Sequence, residues 1–172
     1  MIVDIGFGDG ELLVATAEDH AESNFIGIEV YDAGIGHCLK LIEQRKVNNL
    51  KLISGDAVEV MKFGIPNSSI NQINLFFPDP WPKKKHHRRR FVTQEFLRPL
   101  HNSMKAGSIL RIATDIEDYV RQTLQEAPKA GFRWIAKDAS DWRSPWCDWI
   151  STRYELKALK EGRVPHYLTF VA

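Results

Sequence analysis

Asp79 stands between Pro78 and Pro80 in the stretch "NLFFPDPWPKKKHHRRRF" (residues 74–91), and Lys83, Lys84, Lys85, Arg88, Arg89 and Arg90 follow it. The two prolines fix their own φ and bias the residues before them toward extended backbone, so the carboxylate is held in a limited set of directions. An Asp-Pro pair can also serve only to make a turn. Phe77 and Trp81 argue for more, because a turn needs no aromatic faces whereas a nucleic-acid base stacks on them. The cations then have a partner, since neutralised phosphates supply most sequence-independent affinity for nucleic acid. Taken alone, the same run reads as a solvated charged face or a nuclear address. His86 and His87 have no Cys or acid at ligand spacing, so no metal is expected.

A second group of residues opens the chain. In "DIGFGDGE" (residues 4–11) Gly6, Gly8 and Gly10 permit a tight turn and a close approach of ligand to backbone. The dinucleotide pattern G-x-G-x-x-G/A fails, because Glu11 occupies its last position. G-x-G-x-G after an acid fits S-adenosylmethionine instead, whose ammonium and sulfonium favour carboxylates, and Asp4 is placed to supply one. Glu29, at the end of the second apolar run, can accept from both ribose hydroxyls. Asp56, in "SGDAVE", falls after the third run, where an adenine edge would lie, although an acid there also suits a helix cap.

These groups need a scaffold. Residues 1–6, 24–30, 50–54, 70–77 and 108–114 read as strands, and 10–20, 34–47, 56–63, 89–104 and 116–127 as helices. Strand–helix alternation with short turns predicts a parallel sheet covered on both faces, with Asp4, Glu29 and Asp56 at strand C-terminal ends. "FRWIAK" (132–137) and "PHYLTFVA" (165–172) predict two further strands. Thr152 with Glu155 reads as a capping box as well as a candidate site. Trp142, Trp146 and Trp149 have the spacing of a helical core stripe, which Pro145 interrupts; a place in the site is the alternative.

The chain has 172 residues with 44% apolar and 26% charged residues, enough for one domain with a substantial core, and no boundary divides residues 1–172. Net charge is +1, but residues 83–90 hold six of the 23 Lys and Arg; the remaining 17 against 22 acids leave the rest at −5, so positive charge is focused at one place. No apolar run reaches membrane-span length. Cys38 and Cys147 fit no redox or metal spacing and read as reduced structural thiols of a cytoplasmic protein. The opening residues read as a buried strand, so no signal peptide is expected, and the domain is expected to lack an N-terminal lead-in.

"VDIGFGDG", "GIEV", "GDAVEV", "NLFFPDPWPKKKHHRRR", "IATDIEDY" and "TRYELKALKEGR", in this order over residues 4–170, together resemble the bacterial tRNA (guanine-N7-)-methyltransferases. The resemblance implies a three-layer, Rossmann-like α/β fold with a seven-stranded, mostly parallel sheet and an antiparallel last strand. It implies S-adenosylmethionine as cofactor and transfer of its methyl group to a guanine in the variable loop of tRNA. It casts Asp4, Glu29, Asp56 and Asp79 as cofactor-contacting acids, with Asp79 also catalytic. Lys83, Asp115, Thr152, Arg153, Tyr154 and Glu155 become substrate residues, and Lys84, Lys85, Arg88, Arg89 and Arg90 are the expected RNA contacts. Asp4 stands where the family more often has Glu, and the family's usual basic N-terminal extension is absent before the first strand. A non-catalytic RNA-binding module that retains the fold is the alternative reading. A small-molecule methyltransferase or a nicotinamide enzyme accounts less well for the basic run and for Glu11.

Overall fold

The first strand, β1 (Ile2–Ile5), carries apolar residues on both faces with Asp4 on one of them, and its last three residues are buried. Such a strand has no solvent side and must lie inside a sheet covered above and below. The computed structural model, which describes residues 1–172, places it there. β1 lies between β2 (Phe25–Glu29) and β4 (Ile70–Phe76), with β3 (Leu50–Ser54) beyond β2 and β5 (Met104–Thr114) beyond β4, all parallel. β7 (His166–Val171) runs antiparallel beside β5 and carries the short β6 (Arg133–Trp134) on its other edge. The order is β3-β2-β1-β4-β5-β7-β6. Strand order reverses at β1, so a crevice opens beyond the C-terminal ends of β1 and β4, the usual ligand position of an open α/β sheet.

Helices cover both faces. α1 (Glu11–Asp19) and α2 (Asp32–Arg45) bury Leu13, Val14, Ala17 and Cys38 against Phe25 and Leu50. α4 (Gln94–Ser103) and α5 (Glu117–Glu126) bury Phe96, Leu97, Leu100, Tyr119 and Val120 in the larger core, with Ile73, Leu75, Leu110 and Ile112 of the sheet. The short α3 (Ala57–Glu59) runs on into a π turn, Val60–Gly64. α6 (Ser140–Arg143) and α7 (Arg153–Lys160) lie between β6 and β7 in the chain.

Three elements differ from expectation. The helix expected over 89–104 begins only at Gln94; residues Lys84–Arg89 form a separate 3-10 turn, and Arg90 is extended (φ −68°, ψ 146°). β5 begins at Met104, four residues early, passing through Gly107 at φ +78° beside a register shift in its pairing with β4. The expected strand 132–137 shrinks to Arg133–Trp134. Beyond it, the backbone N–H groups of Lys137 and Ser140 donate to the carboxylates of Asp141 and Asp138, a local turn that draws the chain off the sheet edge. No helix is long and apolar enough to cross a membrane.

Candidate active site

The C-terminal end of β1 runs into a turn with Gly6, Gly8 and Gly10 at φ +72°, +59° and +77°. The turn is keyed to its surroundings. A Cβ on Gly10 would lie 2.4 Å from Cys38 Sγ, so the turn and α2 meet only because that position has no side chain. Glu29, at the end of β2, accepts from the Gly8 N–H (2.9 Å) through one oxygen and from the Val30 and Tyr31 N–H groups (2.7 and 3.1 Å) through the other. Asp4 lies buried under the turn, where Asn74 Nδ2 of β4 donates to it at 3.4 Å. Burial pushes the Asp4 carboxyl up to about 7; the Asn74 bond opposes the shift and the Glu29 charge adds to it.

Facing this turn is the loop after β4. Phe77 and Trp81, on either side of Pro78–Pro80, have φ of +47° and +40°, a left-handed conformation that bulky side chains adopt only under constraint. The constraint is visible. The Phe77 N–H donates to the Ala113 carbonyl (2.8 Å), tying the loop to β5. The Trp81 ring is held edge-on by His86 and carries the Arg89 guanidinium 4.8 Å from its centroid. From beneath, Arg90 Nε donates to the Pro80 carbonyl (2.8 Å), and Arg90 Nη1 to Asp118 and Gln122 of α5. Asp79 is left exposed, while Pro78 and Phe77 are half-buried.

The third side is the N-terminus of α7. Thr152 caps it, accepting from the Glu155 N–H at 3.1 Å. Arg153 reaches across to Asp9 (2.8 Å) and Glu11 (3.5 Å), and Tyr154 lies against Gly8. Behind them an aromatic cluster of Phe76, Trp146, Trp149 and Tyr167 packs edge to face. Trp142 stands apart, stacked on His166. The three tryptophans do not form one core stripe: Trp142 packs on the main core, whereas Trp146 and Trp149 share the cluster behind the cleft.

Together the three sides enclose a cleft of about 580 Å³. Asp4, Gly6, Gly8, Gly10, Glu29, Asp79, Thr152, Arg153 and Tyr154 all line it. Other expected site residues are engaged elsewhere. Asp56 caps α3, accepting from the Val58 N–H at 2.7 Å, so the helix-cap reading describes it. Asp115 is paired with Arg163 at 2.6 Å. Glu155 is buried, accepting from Trp149 Nε1 (2.8 Å) and the Tyr167 hydroxyl, so its carboxylate does not return to the Thr152 N–H as a capping box requires. Lys83, Lys84, Lys85, Arg88 and Arg89 are exposed beyond the Asp79 loop, but Arg90 is not; its side chain is turned inward, contrary to the expected RNA contact.

Sequence reasoning missed several contributors. Tyr31, Ile150 and Ser151 line the cleft, Asn74 positions its acid Asp4, and Tyr167 anchors Glu155 on the rim helix. Asn74 had a signal, a polar residue inside an otherwise oily strand. Tyr167 had none, because its partner lies twelve residues earlier on a different element.

The electrostatic balance of the cleft is acidic. Asp9 and Glu11 are answered by Arg153, and the other basic lining residue, Arg45, is paired with Glu18. Glu29 and Asp79 remain, joined by Asp4 as it ionises with pH rising past about 7, which suits a ligand bearing positive charge over a glycine turn. No group of three or more His, Cys, Asp or Glu gathers as a metal site.

A family model described as "Putative methyltransferase" matches residues 1–168. A tRNA (guanine-N(7)-)-methyltransferase of Jannaschia sp. is 55% identical over 168 residues, covering 98% of this chain and 70% of the relative. Its counterpart in Roseobacter denitrificans is 56% identical over 169 residues, covering 98% and 72%. Among solved structures, a SAM-dependent methyltransferase from Mesorhizobium loti superposes with a TM-score of 0.65 at 14% identity, covering 99% of this chain and 90% of the other, a likeness of fold. One from Aquifex aeolicus gives 0.64, also at 14%, with 99% and 81% covered. With its sheet order, its cleft and these relatives in agreement, the chain belongs to the bacterial tRNA (guanine-N7-)-methyltransferase family.

Proposed function

We propose that this chain transfers the methyl group of S-adenosylmethionine to N7 of a guanine in tRNA, in the variable loop. One observation carries the reading: the acid-lined glycine turn and the proline-held Asp79 line the same cleft, and five exposed cations follow the Asp79 loop in the chain. S-adenosylmethionine supplies an electrophilic methyl group carried on a sulfonium. Asp4 and Glu29 are suited to its cationic and ribose ends, with the Gly6–Gly10 backbone against it and Tyr31 as a face for its base. Asp56, though a cap, stays near enough in sequence to the lining residues Gly55 and Ala57 to act on that end through the backbone it orders.

Guanine N7 is an acceptor with a free lone pair. It needs no deprotonation, so Asp79 need not act as a base. A fixed carboxylate at this place favours positive charge arriving on the purine, and as the group left exposed on the rim it also serves as an acceptor for the guanine N1–H and N2–H₂ edge. Adenine lacks those donors, and a desolvated acceptor left unpaired is costly. Asp115 and Glu155, already bonded to Arg163 and to Trp149 with Tyr167, act in this reading by shaping the site. Thr152, Arg153 and Tyr154 form its rim, Lys83 adjoins Asp79, and Lys84, Lys85, Arg88 and Arg89 take phosphates.

Incubation of unmodified tRNA with the protein and S-adenosylmethionine, followed by nucleoside analysis, tests this. The expected product is 7-methylguanosine at one position of the variable loop. Tight tRNA binding with no methylated nucleoside would instead identify a non-catalytic RNA-binding module.

A further inference from the structure

Of the six cations that follow Asp79, one behaves differently from the rest. Arg90 is 3% exposed, whereas Lys84, Lys85, Arg88 and Arg89 are open to solvent. Its guanidinium is fully employed. Nε donates to the Pro80 carbonyl at 2.8 Å, Nη2 approaches the Trp81 carbonyl at 3.5 Å, and Nη1 donates to Asp118 Oδ2 (2.9 Å) and Gln122 Oε1 (2.8 Å). The Tyr119 ring lies 5.2 Å beneath it. Gln122 is itself oriented, because its Nε2 donates to the Val92 carbonyl. Asp118 also faces His87 (3.6 Å) and Arg121 (3.8 Å), and Arg90 is the foremost reason its carboxyl is held below the usual range.

A buried guanidinium carries a large desolvation cost, which a residue facing phosphates has no need to bear. What this one gains is a grip on the two carbonyls directly after Asp79. Those carbonyls belong to a loop whose backbone is left-handed at Phe77 and Trp81, a shape that must be imposed from outside. A lysine could keep the charge but could not reach Pro80, Asp118 and Gln122 together, because it has no planar fork.

We infer that Arg90 is a positioning residue for methyl transfer, bracing the Pro78–Trp81 loop against α5 so that the Asp79 carboxylate keeps its place over the cleft. The inference rests on the proposed role of Asp79. Misplacing a reacting group by about 1 Å costs on the order of 100-fold in rate, which sets the scale of the effect.

Three measurements on the wild type, Arg90→Lys, Arg90→Ala and a Lys84→Ala/Arg88→Ala double variant test it. These are turnover with saturating S-adenosylmethionine and tRNA, the salt dependence of tRNA binding, and hydrogen exchange at the hydrogen-bonded Phe77, His86 and Arg90 amides that flank the loop. Arg90→Lys is expected to lower turnover roughly 10- to 100-fold and to speed exchange at those amides while the strands keep their protection. Arg90→Ala is expected to do so with an unchanged salt slope, whereas the double variant flattens the slope. Wild-type turnover in Arg90→Lys, or a flattened slope with unchanged exchange in Arg90→Ala, overturns the inference. Should Arg90→Ala fail to fold, Arg90→Lys and Asp118→Asn decide, the latter with a smaller loss in the same direction. A wild-type protein that methylates nothing would refute the functional reading instead, and the exchange data would then judge the brace alone.

Discussion

Two walls of the cleft share an unusual backbone and reach it by opposite means. Gly6, Gly8 and Gly10 on one side, and Phe77 and Trp81 on the other, all have positive φ. The glycines adopt it at no steric cost. Phe77 and Trp81 do so at about 1–3 kcal/mol each for non-glycine residues, and they stay there because β5, His86, Arg89 and Arg90 hold them. The first wall has its shape written into residue choice. The second has its shape enforced by neighbours. On the proposed function, the turn that accepts the cofactor is built from glycine, whereas the carboxylate proposed to act on the base sits on a rigid, externally braced loop.

The sharpest test of this contrast removes the aimed group. Asp79→Ala is expected to lower methyl transfer by about 10³-fold, the scale of losing a fixed electrostatic partner, while S-adenosylmethionine affinity changes by a few-fold, as isothermal titration would read. Equal losses in both would mean the two walls do not divide the labour. Gly10→Ala attacks the other wall. The added methyl meets Cys38 Sγ and the φ of +77° becomes strained, so cofactor affinity should fall by roughly 100-fold and stability by about 2 kcal/mol, with thermal unfolding as the check.

Asp4 gives a pH signature to the first wall alone. Its carboxyl is raised from 3.8 to about 7 in the fold, so the folded state holds a proton that the unfolded chain has released. Between those values stability falls as pH rises, and the cost stays in full above 7. A cationic ligand prefers the ionised form, so its affinity should drop as pH falls below about 7. Asp4→Asn is expected to raise Tm at pH 8, to weaken cofactor binding about tenfold there, and to remove the pH dependence. The smallest effect belongs to the outskirts of the second wall. Neutralising Arg88 alone should weaken tRNA binding a few-fold and reduce the salt slope by roughly one phosphate contact; an unaltered slope would move the RNA footprint elsewhere.

Much of this architecture was legible in the residues. The oily runs at 50–54 and 70–77 became β3 and β4 almost to the residue: Ile73, Asn74 and Leu75 of β4 are buried on both faces, while the edge strand β3 keeps Lys51 and Ser54 exposed. The glycine turn and the proline-flanked acid were legible because each restricts the local backbone. Arg90 and Glu155 were not. Sequence presents Arg90 as one more cation in a run and Glu155 as a helix-cap partner, yet tertiary contacts with α5 and with Tyr167 decide both. Asp56 was legible as a cap, a local bond, but not that Gly55 and Ala57 on either side of it line the cleft while its own side chain does not, since that depends on where α3 turns.

The antiparallel strand has a consequence for synthesis. β7 comes last in order but lies inside the sheet, and its Tyr167 anchors Glu155, and so the rim formed by α7. A chain emerging from the ribosome makes the glycine turn, the Asp79 loop and the rim helix before the residue that secures that helix has left the exit tunnel. Until Tyr167 is clear, Glu155 lacks this partner, so the rim of the cleft is the last of its three sides to be secured.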